Sequence, residues 1–410
     1  MPDVVALDLP NGPAFVAALE RVWAEGDAAW PVDQRLPPPA RARQFATVGP
    51  AATIRIDGVR RPVELRGARA TEPGAVEPGA VEPGAVEPGA VEPGAVEPGA
   101  VEPGDALVVS TSGTTGEPKA AVFTHAAVAA HALAVHRRLA VDSERHRWLA
   151  CLPVAHVGGL GVVTRALVSG TPLVTLPAFH AAAVTAVAIE RPDATLVSLV
   201  PTALDRVSPA PFRWVVLGGS GDQSVSRPAN VVHTYGLTES GGGVVYDGLA
   251  LDGTEVRVVD GEVQLRGPTL LRAYRDGTTP VDGEGWLPTG DLGALGAGGR
   301  LTVHGRRGEL IVTGGENVWP EDVEAALVRH PEVADVAVAG RLDAEWGQQV
   351  VAFVVPRQPG EPPTVAALRA WVKGTLPAYA APRQVVLVER IPRTALGKPR
   401  RTILALLHTQ

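Results

Sequence analysis

Residues 72–104 repeat the unit A-V-E-P-G after an initial E-P-G, and no packed core can be built from such a stretch. Each unit offers one Val, one negative charge and a Pro-Gly pair, too little apolar surface to offset the entropy of ordering the chain. Pro-Gly pairs favour type II turns, and a five-residue period is far shorter than that of any solenoid. The stretch reads as a turn-rich spacer, about 30 Å root-mean-square if it behaves as a random coil. It belongs in a surface connection, and a partner-binding arm is the less favoured reading. The fold must come from the flanks, 1–71 and 105–410.

Those flanks alternate in period. A helix is expected at 14–24, and a hairpin over 53–65 that turns at Asp57-Gly58. A short buried strand at 106–109 runs into a glycine-rich loop, and a helix follows at 124–139. Apolar strands are expected at 148–152, 172–176, 196–199 and 214–217, with helical stretches between some of them. That alternation predicts an α/β fold, a mostly parallel sheet flanked by helices. From Thr254 the pattern becomes short strands and Gly turns, a small β-rich subdomain. From Arg306 a compact α+β tail is expected, with helices at 320–329 and 365–373 and strands at 333–339, 350–356 and 384–388. The expected organisation is a large N-terminal domain (1–71 and 105–305, split by the spacer) and a small mobile C-terminal domain (306–410).

Composition narrows the function. The formal net charge of −7 comes from the repeat, because seven glutamates from Glu72 to Glu102 lie in it and the rest is neutral. Nothing argues for nucleic acid or an anionic membrane surface as a partner. The single cysteine, Cys151, rules out an internal disulfide framework and suggests a reducing compartment. No basic-then-apolar signal segment opens the chain, and no apolar run is long enough to span a bilayer. A cytoplasmic protein with no integral membrane segment is expected.

Only three lysines occur, Lys119, Lys373 and Lys398. Two lie in glycine-rich strings, S-T-S-G-T-T-G-E-P-K (110–119) and P-R-T-A-L-G-K (392–398). Arg is a planar fork, whereas Lys is a compact charge on a flexible stem. Its retention at these two places suggests that a small cation must reach a phosphate or carboxylate. In the first string Gly113 and Gly116 let the backbone approach an anion. The hydroxyls of Ser110, Thr111, Ser112, Thr114 and Thr115, with backbone N–H groups, can surround a polyphosphate. It is not a Walker A loop, because Glu117-Pro118 separates Gly116 from Lys119.

The first string resembles the phosphate loop of the adenylate-forming superfamily, which comprises acyl-CoA synthetases, luciferases and the adenylation domains of peptide synthetases. Further strings follow in that family's order: Y-G-L-T-E-S (235–240), T-G-D (289–291), Gly305-Arg306, G-G-E-N (314–317) and the closing Gly397-Lys398. The resemblance covers roughly 107–400. It implies a two-step reaction: a carboxylate attacks the α-phosphate of ATP, then a thiol such as CoA displaces AMP. The chemistry needs charge stabilisation and alignment more than a strong base.

By the same resemblance Glu239 is the magnesium-linked carboxylate, and Thr238 contacts phosphate. Tyr235 and Gly236 lie by the adenine, with Gly218, Gly219 and Ser220 lining the pocket. Asp291 accepts the ribose hydroxyls, and Arg306 also reaches the ribose. Lys398 bridges the carboxylate and the α-phosphate. His156, in L-P-V-A-H-V-G-G-L, gates the acyl site, which Gly159, Ser240, Gly241 and Gly242 line. A lone His near an apolar stretch is more often structural, and no second ligand at suitable spacing supports a metal there. The tail would rotate about Gly308, exchanging Lys398 for Gly314, Gly315, Glu316 and Asn317. This hinge position is usually Asp or Lys, and glycine supplies the dihedral freedom without the polar contact. The substrates implied are a carboxylic acid, ATP and CoA, with Mg²⁺. A homodimer is common in such enzymes.

Three strings, 152–170, 198–204 and 240–248, look like o-succinylbenzoate–CoA ligases of the short, actinobacterial type. Gly241-Gly242-Gly243 after Ser240 would leave room for a bulky aromatic acid, or would simply make a turn. A second substrate carboxylate would need a partner, and Arg165 and Ser198 are candidates. Two other activities compete: ligation of another aryl or fatty acid, and loading of a carrier protein. A non-catalytic nucleotide-binding scaffold is the third alternative, and intact Lys398, Glu239 and Asp291 argue against it.

Overall fold

The computed structural model describes residues 2–63, 101–111, 118–219, 228–358, 360–393 and 399–407. The chain starts as β1 (Val4–Leu7), α1 (Pro13–Ala24), β2 (Ala28–Pro31), α2 (Pro38–Val48), β3 (Ala52–Ile54) and β4 (Arg60–Pro62). Pro13 opens α1, where its missing N–H is no loss. Phe15, Ala18, Leu19 and Val22 recur at helical spacing and bury one face of it. β1 is buried along its whole length and pairs in parallel with β2 and β3, as expected of a strand covered on both faces.

The last unit of the repeat is built into this sheet. Val101 is 6% exposed and packs in the cluster of Val4, Trp30, Val108 and Val122. Arg272 bridges Glu102 (2.7 Å) and Asp105 (2.7 Å), and the Asp105 side chain is fully buried. The sequence reading carried the spacer to Gly104. Val101 departs from it because the two strands that follow supply the apolar wall that one Val alone lacks.

These strands, β5 (Asp105–Thr111) and β6 (Lys119–Thr124), bring a second correction. The next described element after β5 is a strand and not the expected helix. β5 and β6 are antiparallel, with Thr111 opposite Lys119. Helix α3 (His125–Leu139) begins only after β6, where Thr124 Oγ1 accepts from the Ala127 N–H at 3.1 Å.

The second sheet follows with β7 (Arg147–Ala150), α4 (Val157–Ser169), β8 (Leu173–Thr175), α5 (Ala181–Glu190), β9 (Thr195–Leu199), α6 (Pro201–Leu204), β10 (Trp214–Leu217), β11 (Val231–Leu237), β12 (Gly242–Tyr246) and β13 (Leu249–Ala250). Its order is β13-β12-β11-β10-β9-β7-β8. The run β8-β7-β9-β10-β11 is parallel, and β12 and β13 add antiparallel edges. Trp148 and Leu196 face the cluster under α3 and α4, whereas Leu149 and Val197 face the cluster under α5. That is the period-2 alternation of a sheet covered on both sides.

β14 (Glu255–Val259) and β15 (Glu262–Arg266) pair antiparallel. β16 (Ala273–Tyr274) returns to the first sheet beside β6, so that sheet is mixed rather than mostly parallel. β17 (Leu287–Leu295) and β18 (Leu301–Arg306) complete a small antiparallel sheet. The tail carries β19 (Ile311–Thr313), β20 (Glu316–Val318), α7 (Pro320–Leu327), β21 (Val333–Asp343), β22 (Gly347–Pro356), α8 (Val365–Lys373), β23 (Gln384–Leu387) and α9 (Arg401–Leu406). It buries its own core around Val323, Val338, Val350 and Leu368.

The buried pair at the end of the repeat sets an expectation for stability. Removing Asp105 takes away the charge-assisted bonds it accepts and leaves Arg272 only the exposed Glu102. Asp105→Ala should lower the unfolding free energy by about 2 kcal/mol, read as a shift of the urea midpoint with unchanged slope.

Candidate active site

The carboxyl ends of β10 and β11 present the residues named from the sequence. Ligands favour this edge in sheets of this kind. Gly218 and Gly219 follow β10, and Gly219 has a φ of +78° that favours glycine. Tyr235 lies in β11 and its hydroxyl donates to Asp291 Oδ2 at 2.8 Å. Asp291 sits on β17 opposite Arg306 on β18, and Arg306 Nε reaches Asp291 Oδ1 at 2.9 Å. Burial, with the Asp291 charge beside it, pushes the Tyr235 phenol well above its usual range. The phenol therefore stays a donor, and Asp291 is held as a fixed acceptor.

One turn later the same segment supplies Glu239, in a 3₁₀ turn at Thr238–Ser240. The Tyr274 hydroxyl donates to Glu239 Oε1 at 2.9 Å. Lys119 Nζ stands 4.6 Å from the centre of the Tyr274 ring. Burial, then the Glu239 charge, raises the Tyr274 phenol. Tyr274 was not named from the sequence, because the string L-R-A-Y-R-D-G carries no periodic or motif signal. Its role follows only from β16 returning beside β6.

His156 precedes α4 and is joined by two residues the sequence did not point to. Its Nε2 lies 2.7 Å from Arg35 Nη2 and 3.2 Å from Asp33 Oδ2. Arg35 also donates to Asp33 at 2.8 Å. Burial alone would raise the Asp33 carboxyl, but the hydrogen bonds from His156 and Arg35 outweigh it and hold it far below the carboxylate range. Asp33 and Arg35 follow β2 and lie more than a hundred residues before His156, which no sequence spacing could reveal.

Several named residues also brace the backbone. Ser240 is fully buried; its hydroxyl accepts from the Leu237 N–H at 3.0 Å and lies 2.8 Å from the Gly242 carbonyl, so it braces the turn. At Gly236 a Cβ would stand 1.9 Å from the Gly242 carbonyl oxygen, so glycine lets β11 and β12 close over their bulge. At Gly159 a Cβ would meet the Pro153 carbonyl at 2.3 Å, so glycine seats the 152–156 loop on α4. Gly314 and Gly315 make the two-residue turn between β19 and β20, both at positive φ. Glu316 and Asn317 follow on β20, and Gly308 has open space around it. The Ser110 hydroxyl accepts from Trp30 Nε1 at 3.0 Å, and Thr111 ends β5. Ser112, Gly113, Thr114, Thr115, Gly116, Ser220 and Lys398 lie outside the described residues.

Behind the 238–242 turn is an apolar pocket. Phe123, His131, Leu160, Gly161, Thr164 and Gly241 line it, among others. His131 Nε2 lies 3.0 Å from the Gly243 carbonyl, and the neighbouring Gly242 has a φ of +127° that favours glycine. Burial, reinforced by the nearby Arg165 charge, lowers the His131 pKa to about 4. Among the described residues no three His, Cys, Asp or Glu side chains converge as a metal cage.

His131 binds its proton in the unfolded chain near pH 6.5 but in the folded chain only near pH 4. Stability is therefore full above the unfolded value and falls as pH drops through that window. Between pH 7 and pH 5 this one group should remove about 2 kcal/mol. His131→Gln should flatten the pH dependence of urea unfolding by that amount.

Comparison with known proteins places the chain among relatives. The model of the AMP-binding enzyme family matches residues 2–275, and that of the AMP-binding enzyme C-terminal domain matches 322–398. A probable 2-succinylbenzoate–CoA ligase of Mycobacterium tuberculosis is 41% identical over 322 residues, 73% of this chain and 83% of that protein. An indoleacetate–CoA ligase of Aromatoleum aromaticum is 35% identical over 341 residues, 72% of this chain and 66% of that protein. The Bacillus subtilis o-succinylbenzoate CoA synthetase, solved with its acyl-adenylate intermediate, superposes with a TM-score of 0.80 at 25% identity, covering 99% of this chain and 89% of that one.

Proposed function

The chain belongs to the AMP-binding enzyme family, and we propose that it is an AMP-forming acid–CoA ligase acting on o-succinylbenzoate, in the cytoplasm and in menaquinone synthesis. The observation that carries the chemistry is the segment 235–240. It delivers a phenol to Asp291 at one end and, at the other, a carboxylate to Tyr274, over whose ring Lys119 stands. The relatives that ligate 2-succinylbenzoate support the substrate.

In this reading Asp291, fixed from both sides by Tyr235 and Arg306, accepts the ribose hydroxyls of ATP through charge-assisted bonds. Glu239 and the Thr238 hydroxyl are hard oxygen donors of the kind magnesium takes together with substrate phosphates. The donor set therefore fits the ion, which when bound would neutralise phosphate charge. One oxygen of the substrate carboxylate attacks the α-phosphorus, the bond to pyrophosphate breaks, and an acyl-adenylate forms. The CoA sulfur then attacks the acyl carbon, and AMP leaves with the oxygen the acid brought. Lys398 serves the first step. The unit 306–410 turns about Gly308, so that 314–317 replaces Lys398 for the second.

Incubation with Mg-ATP, CoA and o-succinylbenzoate should yield AMP and a CoA thioester. Indoleacetate, benzoate and a medium-chain fatty acid should react far more slowly. Preference for indoleacetate would keep the mechanism and overturn the substrate, and this second reading is the one the Aromatoleum relative favours. Lys398→Ala should reduce pyrophosphate exchange by about a thousandfold, with ATP affinity changed less than about threefold by calorimetry.

A further inference from the structure

Tyr274 stands where three parts of the molecule meet. Strand β16 pairs with β6 and puts Tyr274 opposite Ala121, and Lys119 lies two residues back on the same face of β6. The backbone on both sides of Tyr274 is tied to that strand. The Arg272 N–H donates to the Val122 carbonyl at 2.8 Å, and the Arg275 N–H donates to the Ala120 carbonyl at 2.8 Å. The Tyr274 N–H itself donates to the Thr278 carbonyl at 2.7 Å, closing a tight turn. Arg275 Nε reaches back to the Val48 carbonyl at 2.9 Å. At 9% exposure the Tyr274 ring has little freedom.

Glu239 is held twice by this segment. The Leu271 N–H donates to the Glu239 main-chain carbonyl at 2.8 Å, and the Tyr274 hydroxyl donates to its carboxylate Oε1 at 2.9 Å. Backbone and side chain of one residue are thus fixed from the short stretch 271–274. Tyr274 is the one side chain among the described residues that donates to this carboxylate, so Oε2 is the oxygen left to serve a ligand. Lys119 Nζ meets the ring, not the hydroxyl, at 4.6 Å from its centre. Asp276 acts on Lys119 as well. Burial alone would raise the Asp276 carboxyl, but hydrogen bonds from Thr278 and then the Lys119 charge outweigh it. The Tyr274 ring and hydroxyl therefore serve different partners.

We propose that Tyr274 is a positioning residue for magnesium: by occupying Oε1 it presents Oε2 of Glu239 to the ion, and so sets the affinity of the ion in the ATP complex. This rests on the acid–CoA ligase reading and extends it to a residue. Carboxylates that ligate metals are themselves hydrogen-bonded, and loss of such a partner weakens metal binding about tenfold to a hundredfold.

The test compares wild type, Tyr274→Phe, Glu239→Ala and the double variant. Tyr274→Phe keeps the buried ring and its face toward Lys119, and removes only the donor. Calorimetry of ATP binding with Mg²⁺ and with EDTA gives the gain in affinity that the ion confers. In Tyr274→Phe this gain should fall about tenfold, and an unchanged affinity in EDTA will show that the fold is intact. The Mg²⁺ concentration for half-maximal AMP formation should rise about tenfold. Thioester formation from supplied acyl-adenylate and CoA, a step without pyrophosphate, should keep its rate. In the Glu239→Ala background Tyr274→Phe should change nothing further, whereas a merely structural tyrosine would cost the same in both backgrounds. A wild type with no gain from Mg²⁺, an unchanged Mg²⁺ response in Tyr274→Phe, or an equal loss in EDTA would overturn the positioning role. If wild type forms no AMP from any acid, the ligase reading fails instead, and calorimetry still decides the role of Tyr274.

Discussion

The carboxylate of Asp291 is the point on which the parts of the molecule meet. It is gripped by Tyr235 on β11 of the second sheet and by Arg306 at the end of β18. Strand β11 and the β17–β18 pair, more than fifty residues on, thus share one charge. At 7% exposure that charge is dry enough for its hydrogen bonds to be strong and for the loss of either partner to be felt. The same carboxylate joins β11 of the large domain to β18, which ends two residues before Gly308.

A second concentration of charge lies just past Gly308. Arg401 meets Glu309 at 2.8 Å, Glu321 at 2.9 Å and Glu324 at 3.0 Å. Burial, despite Arg401, raises Glu324 to about 7. Glu309 ends the 3₁₀ turn that contains Gly308, and Arg401 stands three residues after Lys398. Arg401 ties α9 to the turn that contains Gly308. Glycine at 308 supplies dihedral freedom with open space around it, and the polar restraint absent from Gly308 is supplied by its neighbour.

Much of the fold was legible in the sequence because its signals are local. Apolar runs bounded by turns located β9 and β10, and helical periodicity located α1 and α8 with their ends nearly as expected. The alternation of strands and helices pointed to α/β layers. What escaped depends on contacts between distant segments. The hairpin of β5 and β6 looked like a strand–loop–helix because Ala120 to Phe123 is short and apolar and carries no mark of its pairing partner. Val101 looked like spacer because its partners, Val108 and Val122, come after it. In the site, motif residues such as Asp291 and Glu239 could be named from their strings. Tyr274, Asp33 and Arg35 could not, since each acts through a neighbour that only the sheet order supplies. Gly236 and Gly159 also allow close backbone packing, which was not legible either: a glycine needed for packing and one needed for a ligand look alike in one dimension.

The most direct measurement of the central claim follows an oxygen atom. The substrate acid, labelled with oxygen-18 in the reacting carboxylate, is turned over with Mg-ATP and CoA, and the AMP is analysed by mass spectrometry. Attack of the carboxylate on the α-phosphorus requires one labelled oxygen in each AMP released. AMP free of label, with the thioester still formed, would contradict an acyl-adenylate and with it the assignment of the 235–240 segment, Asp291 and Lys398 to a shared reaction centre.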